Sequence, residues 1–178
     1  MKDEELLIQK AKNGEREAFG KLYDHYMPKI YRFVLFKISI KHDAEDLTHQ
    51  VFSHALEHIG SYEPHGFPLS SWLYRIASNT VIDYYRTFKN NLDIENVPEE
   101  KFAEQSGSET KFDSSLNMER VLKAIQKLDS DQQNVIIMKF VDELSNKEIA
   151  KAIEKTEGAI RVIQHRALKQ LKNFLLDE

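Results

Sequence analysis

The strongest constraint on this chain is the place where its helical periodicity stops. Apolar residues recur at helical spacing through most of 1–90 and 118–178, whereas 91–117 keeps no period and holds Pro98, Gly107 and four serines. Period-two alternation is absent over more than a few residues. The expected fold class is therefore all-α, with two small helical domains, 1–90 and 118–178, joined by a flexible acidic linker over 91–117.

Charge sharpens this division. The net charge of −4 argues at first against nucleic acid, because neutralising phosphates needs lysine and arginine. Yet 1–90 carries 12 Lys/Arg against 12 Asp/Glu, 91–117 carries 2 against 7, and 118–178 carries 11 against 10, so the acidity sits in the middle. Nothing approaches the roughly 20 apolar residues that span a bilayer. The run from Ile30 to Ile40 is broken by Arg32, Lys37 and Ser39, and the first twelve residues lack the apolar core of a secretory signal, so the expected location is cytoplasmic. The absence of cysteine excludes disulfides and thiolate metal sites.

In the first module one stripe runs through Ala18, Phe19, Leu22, Tyr23 and Tyr26, then continues past Pro28 through Ile30, Phe33, Val34 and Phe36. A second runs through Ala44, Leu47, Val51, Phe52, Ala55 and Ile59, with Asp43 as a candidate N-cap. A loop over 60–69 with Pro64, Gly66 and Pro68 precedes a helix that starts near Ser70 or Ser71 and carries Trp72, Leu73, Ile76, Thr80 and Tyr84. In the second module Ser130 with Gln133, and Ser145 with Glu148, spell capping boxes, and Thr156 suits the start of the last helix. The first of these helices carries Val135, Ile136 and Phe140 as its apolar set.

Three faces follow. A capped helix from Ser145, a turn at Glu154 and Lys155, and a longer helix from Thr156 have the lengths of a helix-turn-helix. On the last helix Gly158, Arg161, Val162, His165, Arg166, Lys169 and Lys172 share a side free of carboxylates. Arginine there can grip guanine, valine can touch a thymine methyl, and lysines can hold phosphates; a merely solvated charged face is the alternative. Arg75, Asn79, Ile82 and Arg86, bordered by Trp72 and Asp83 and next to a loop with Tyr62, His65 and Phe67, can hold a strand with splayed bases. The alternative is that Trp72 is simply core. Asp43, Asp46, Gln50, Ser53 and Glu57 form an acidic side that suits a basic protein surface, or solubility alone.

His54, Glu57 and His58 spell the H-x-x-E-H pattern of zinc hydrolases, in which two histidines share the metal and the glutamate acts as general base. The line of Leu47 and Val51 places both histidines beside the core, and no helix offers a third ligand. No cofactor is expected.

These segments together resemble a known family over nearly the whole chain. Asp43-Ala-Glu-Asp-Leu-Thr-His-Gln-Val-Phe52 is similar to region 2.2 of the sigma-70 family, and Trp72-Leu-Tyr-Arg-Ile-Ala-Ser-Asn79 with Asp83 is similar to region 2.4. Glu148-Ile-Ala150, Glu157-Gly158-Ala-Ile-Arg161 and His165-Arg166-Ala167 resemble region 4.2. The short length points to the extracytoplasmic function (ECF) group. The resemblance implies a non-enzymatic initiation factor whose partners are core RNA polymerase (the β′ clamp helices and the β subunit), promoter DNA and an anti-sigma factor. It implies core docking by Asp43, Asp46, Leu47 and Gln50, and minus-ten recognition by Phe67, Arg75, Asn79 and Asp83. Minus-thirty-five reading falls to Thr156, Arg161, Val162, His165, Arg166 and Lys169. Departures are Leu128-Asp129 in place of leucine-proline, Glu154 in place of the turn glycine, and Val162 and Ile163 where serine and arginine are usual. They imply a looser turn and an altered minus-thirty-five preference. A stand-alone helix-turn-helix regulator and a zinc hydrolase are the competing functions.

Overall fold

The computed structural model describes residues 1, 3–64, 66–91 and 120–176, all helix and connection with no strand among them. Linker positions 92–117 and the expected limits at 118 and 178 lie outside these residues, as does His65.

Helix α1, Glu4–Lys12, was not singled out by the sequence, in which charged and apolar residues alternate. It buries Ile8 and Ala11, and its first-turn glutamates and last-turn lysines suit the helix dipole. Gly14, at φ +88°, stops it with a Glu15 N–H to Lys10 carbonyl bond of 3.0 Å, a closure that favours glycine. Helix α2, Arg16–Ile38, continues through Pro28. Pro28 and Asp24 both face solvent, so water can take the Asp24 carbonyl that proline leaves without a donor. Its inner stripe of Leu22, Tyr26, Ile30, Phe33 and Val34 is buried as the periodicity requires. Phe33 is fully buried, and truncating such a ring costs about 3–5 kcal/mol.

Helix α3, Lys41–His58, starts three residues earlier than an Asp43 cap would require; Ile40 is the N-cap residue, with no side-chain bond. Asp43 instead stands in the first turn and accepts a 2.5 Å hydrogen bond from the Tyr84 hydroxyl. A short 3₁₀ turn, Ile59–Ser61, leads into the loop, and α4 spans Leu69–Asn91. The first turn of α4 is held from far away. Glu4 accepts the Leu69 N–H at 2.8 Å through one oxygen and the Tyr26 hydroxyl through the other, so one carboxylate joins α1, α2 and α4.

In the second module a helical stretch over 120–126, α5, precedes α6, Ser130–Ile136. The capping box sits one residue earlier than expected: Asp129 caps, with Gln132 as its reciprocal partner. Helix α6 runs into a π segment, Ile137–Val141, closed by an Asp142 N–H to Ile137 carbonyl bond. The wider turn rotates later residues away from the α-helical register. Phe140, expected inside, is therefore 53% exposed, while Ile137 and Met138 fill the core. Helix α7, Asn146–Ala152, carries the expected Ser145–Glu148 box, and α8 spans Glu157–Leu176 with Thr156 accepting the Ala159 N–H at 3.2 Å.

The two modules touch: α4 lies against α7, and α2 against the π segment. The apolar core is continuous across them, and buried polar contacts are set into the seam. Lys37 of α2, 2% exposed, donates to Asn134 Oδ1 at 2.6 Å and Ser130 Oγ at 3.3 Å, and Asn134 donates in turn to Ser78 Oγ of α4 at 3.0 Å. Arg32 meets the buried Asp142 carboxylate at 3.1 Å.

Candidate nucleic-acid interface

Helix α8 turns Ile160 and Ala167 inward and leaves Arg161, Val162, His165, Arg166, Lys169 and Lys172 in solvent. Val162 is 49% exposed on this cationic face, where core packing does not call for an apolar side chain, and Arg161 beside it is 71% exposed. Glu157, one turn before Arg161, lies 3.8 Å from it and steadies the guanidinium without enclosing it. The turn before α8 is tight, contrary to expectation. Glu154 adopts φ +54°, the left-handed conformation that favours glycine, and a Lys155 N–H to Ala150 carbonyl bond of 2.9 Å closes it.

A second surface surrounds a cavity of about 980 Å³ between α3, the loop and α4, within the range of small-ligand sites. Trp72 forms part of its lining, and its ring lies 4.8 Å from that of Tyr62. Burial and the nearby Glu4 push the Tyr62 hydroxyl up to about 12, so it is a neutral wall at physiological pH. Phe67, Arg75, Asn79 and Asp83 all line the cavity. Trp72 is thus neither simple core nor free surface. Asn79, Asp83 and Arg86 are open to water, and Asp83 pairs with Arg86 at 3.1 Å.

The earlier half of this surface is occupied by the other module. The Phe67 ring lies under the ammonium groups of Lys147 and Lys151, 5.5 and 5.6 Å from its centre. Arg75 reaches Glu154 at 3.0 Å, and the Ser71 hydroxyl reaches the Glu148 carbonyl at 3.4 Å. Neither lysine nor the seam lysine, Lys37, was marked by the sequence. The one available signal for Lys37 was a cation interrupting an apolar run.

On α3, Asp46, Gln50, Ser53 and Glu57 are exposed on one side, as expected. Asp43 is half-buried against Tyr84, whose hydroxyl is pushed up by burial and by that carboxylate. Leu47 is 4% exposed and supports this face from beneath. His54 and His58 are exposed rather than set beside the core, and His58 Nδ1 bonds the His54 carbonyl at 2.9 Å. Among the described residues no group of three or more His, Asp or Glu side chains could hold a metal. No helix among them is long and apolar enough to cross a membrane.

Residues 22–90 match the family described as Sigma-70 region 2, and 118–171 match Sigma-70, region 4. The ECF RNA polymerase sigma factor BldN of Streptomyces coelicolor is 33% identical over 97% of this chain and 66% of its own length. SigW of Bacillus subtilis, also an ECF RNA polymerase sigma factor, is 31% identical over 96% of this chain and 95% of its own. The fold is shared with CnrH, solved in complex with the cytosolic domain of CnrY, at TM-score 0.75 and 22% identity over 98% of both chains. RpoE of Bartonella quintana, solved with the anti-sigma factor NepR, matches at TM-score 0.72 and 24% identity over 88% of this chain and 96% of that one.

Proposed function

This chain belongs to the sigma-70 family as an ECF RNA polymerase sigma factor that directs core polymerase to promoters, and on that premise we propose how its surfaces divide the work. The α8 face, through Thr156, Arg161, Val162, His165, Arg166 and Lys169, reads the minus-thirty-five element in duplex DNA. Phe67, Arg75, Asn79 and Asp83 around the α3–α4 cavity capture an unstacked base of the minus-ten strand. The α3 side with Asp43, Asp46 and Gln50, backed by Leu47, docks on the β′ clamp helices of the core enzyme, whose β subunit is a further partner. The domain limits are 1–90 and 118–178.

The observation that carries this reading is the exposed cation-and-valine face of α8, which packing does not require and which fits base edges. The near-neutral balance of each module agrees with it, since core polymerase supplies most of the binding surface. The protein acts in the cytoplasm as an initiation factor without catalytic residues or cofactor of its own. By likeness to relatives solved with anti-sigma factors, a partner of that kind is expected for this chain too.

The experiment is reconstitution with sigma-free core polymerase on genomic promoter fragments. Discrete transcripts are expected, and Asp46→Arg should lower capture by core while leaving the fold intact. Persistent failure across many fragments would sink the reading. Specific operator binding by the free chain, without polymerase, would favour the stand-alone regulator instead.

A further inference from the structure

Helix α1 lies before the stretch matched to Sigma-70 region 2, yet its first and last residues hold the two ends of the loop that carries Phe67. Lys12, the last, donates to the Tyr62 carbonyl at 2.9 Å and reaches the Glu63 carboxylate at 3.5 Å. Glu4, the first, accepts the Leu69 N–H at 2.8 Å. Tyr62 directly follows the 3₁₀ turn and Leu69 opens α4, so both bonds fall on backbone atoms where the loop begins and ends. We infer that α1 is a brace for the minus-ten loop: Lys12 and Glu4 are positioning residues that set where Phe67 stands, and so govern base capture by acting on the loop rather than on the strand. The inference rests on the assignment of Phe67 and Asn79 to base capture given above.

The loop holds itself weakly. Pro64 and Pro68 have no N–H to donate, and Gly66, at φ +74°, stands in a conformation that glycine enters at little cost. Within the loop, among the described residues, the bonds are a Phe67 N–H to Pro64 carbonyl turn at 2.8 Å and a Tyr62 hydroxyl to Phe67 carbonyl contact at 3.5 Å. The first N–H groups of a helix have no partner inside it. Pro68, immediately before α4, carries no side-chain acceptor for them, and the Glu4 carboxylate takes that place from α1, where its charge also suits the helix dipole. The brace is fastened independently of the loop. Ile8 and Ala11 are buried between its ends, and Glu4 also accepts the Tyr26 hydroxyl of α2. Its end residues, eight positions apart, are about 12 Å from each other along the helix axis, a span that a helix keeps and a loop does not. Asn79 needs no such support, because the buried Leu73, Tyr74 and Ala77 hold the body of α4.

Lys12→Met keeps the aliphatic stem and removes the donor. In the full-length protein, with core polymerase and a fragment that the unmodified chain transcribes, promoter opening followed by permanganate reactivity should slow about fivefold. Lys12→Arg, which restores a donor, should bring opening back to within twofold. Capture by core and duplex binding should change less than twofold in both. Lys12→Met should add less than a twofold further slowing to Phe67→Ala, since the residue it positions is gone, and its full fivefold to Asn79→Ala.

Full-rate opening by Lys12→Met, or equal slowing in the Phe67→Ala and Asn79→Ala backgrounds, would overturn the brace. Amide hydrogen exchange reads the loop without DNA. The Phe67 amide in Lys12→Met, and the Leu69 amide in Glu4→Ala, should exchange at least tenfold faster, while Ile30 and Val34 in the buried stripe of α2 keep their rates. Unchanged exchange at both loop amides also counts against the proposal. If Phe67→Ala and Asn79→Ala both open the promoter at full rate, the base-capture assignment has failed, while the exchange rates still decide whether α1 holds the loop.

Discussion

Helices α4 and α8 each present arginine beside an uncharged side chain at helical spacing, yet one face stands in water along its length and the other is half covered. Arg161, Val162 and Arg166 meet nothing larger than a neighbouring glutamate, whereas Arg75 and the adjoining Phe67 are held by residues of α7 and the turn after it. Amphipathicity decides which side of a helix leaves its own core. It does not decide what later comes to lie on that side, and here that second fact separates a reader that is ready from one that waits.

The comparison can be broken most forcefully on α8. Replacing both Arg161 and Arg166 by alanine removes two groups able to pair with base edges, each worth about 1–3 kcal/mol. Duplex affinity, and initiation from promoters that depend on the upstream element, should fall roughly a hundredfold or more, with promoters lacking that dependence spared. Equal losses on both promoter classes would show that α8 does not read sequence.

Asn79→Ala probes the uncovered half of α4. Promoter opening, followed by permanganate reactivity of unpaired thymines, should slow about tenfold. Duplex binding should stay as it was, and a parallel loss of duplex affinity would erase the distinction between the two faces.

Proton linkage offers a gentler lever on the cover itself. Burial lowers Lys37 to about 8 in the closed arrangement, from an ordinary 10.5 once it is in water. The closed state thus gives up its proton first. Closure strengthens as pH rises from about 8 toward 10.5, and below 8 the full penalty of enclosing the ammonium, on the order of 3 kcal/mol, is present. The groups facing Lys37 are Ser130, Asn134 and the Phe33 ring, with Asp131 pulling the other way and the Tyr85 hydroxyl donating to the lysine's own carbonyl. Tyr85 is itself raised by burial and stays protonated through the lower part of the window. Energy transfer between dyes on the two modules should report roughly twentyfold tighter closure at pH 9.5 than at pH 7.5. Lys37→Met should flatten that profile, and a profile that survives the substitution would place the proton elsewhere.

The smallest effect is expected at Glu154→Gly. Glycine relieves the left-handed backbone by about 0.5–1 kcal/mol, while the lost ion pair to Arg75, both partners being well exposed, was worth at most about 1. The melting temperature should move by only a few degrees, and the modules should part more readily.

What the sequence made legible follows the same line. The α8 face, the Ser145–Glu148 box and the buried stripes of α2 and α3 are properties of one helix at a time, and periodicity locates them. The box at α6 slipped by a residue because adjacent glutamines let Asp129 and Ser130 offer the same spacing; the side chain just outside the helix took it. The true holder of the α4 start, Glu4, stands 65 residues away and has no local signature. Glu154 was read as loosening its turn, but a tight turn needs only a residue that tolerates positive φ, and the surrounding bonds enforce it. Lys37 looked like a flaw in an apolar run because nothing nearby in the chain announces Asn134.

The π segment at Ile137–Val141 has one more implication. It accommodates an extra residue within a helix, so the direction in which the chain leaves toward α7 is set by that single wide turn. Deleting one residue there would rewind the turn to ordinary pitch and carry Val141, with the start of the connection to α7, about a hundred degrees around the helix axis. Evolution can therefore exchange the letters on α8 freely to change which promoters are read, but it cannot alter the length of this stretch without aiming the reader somewhere else.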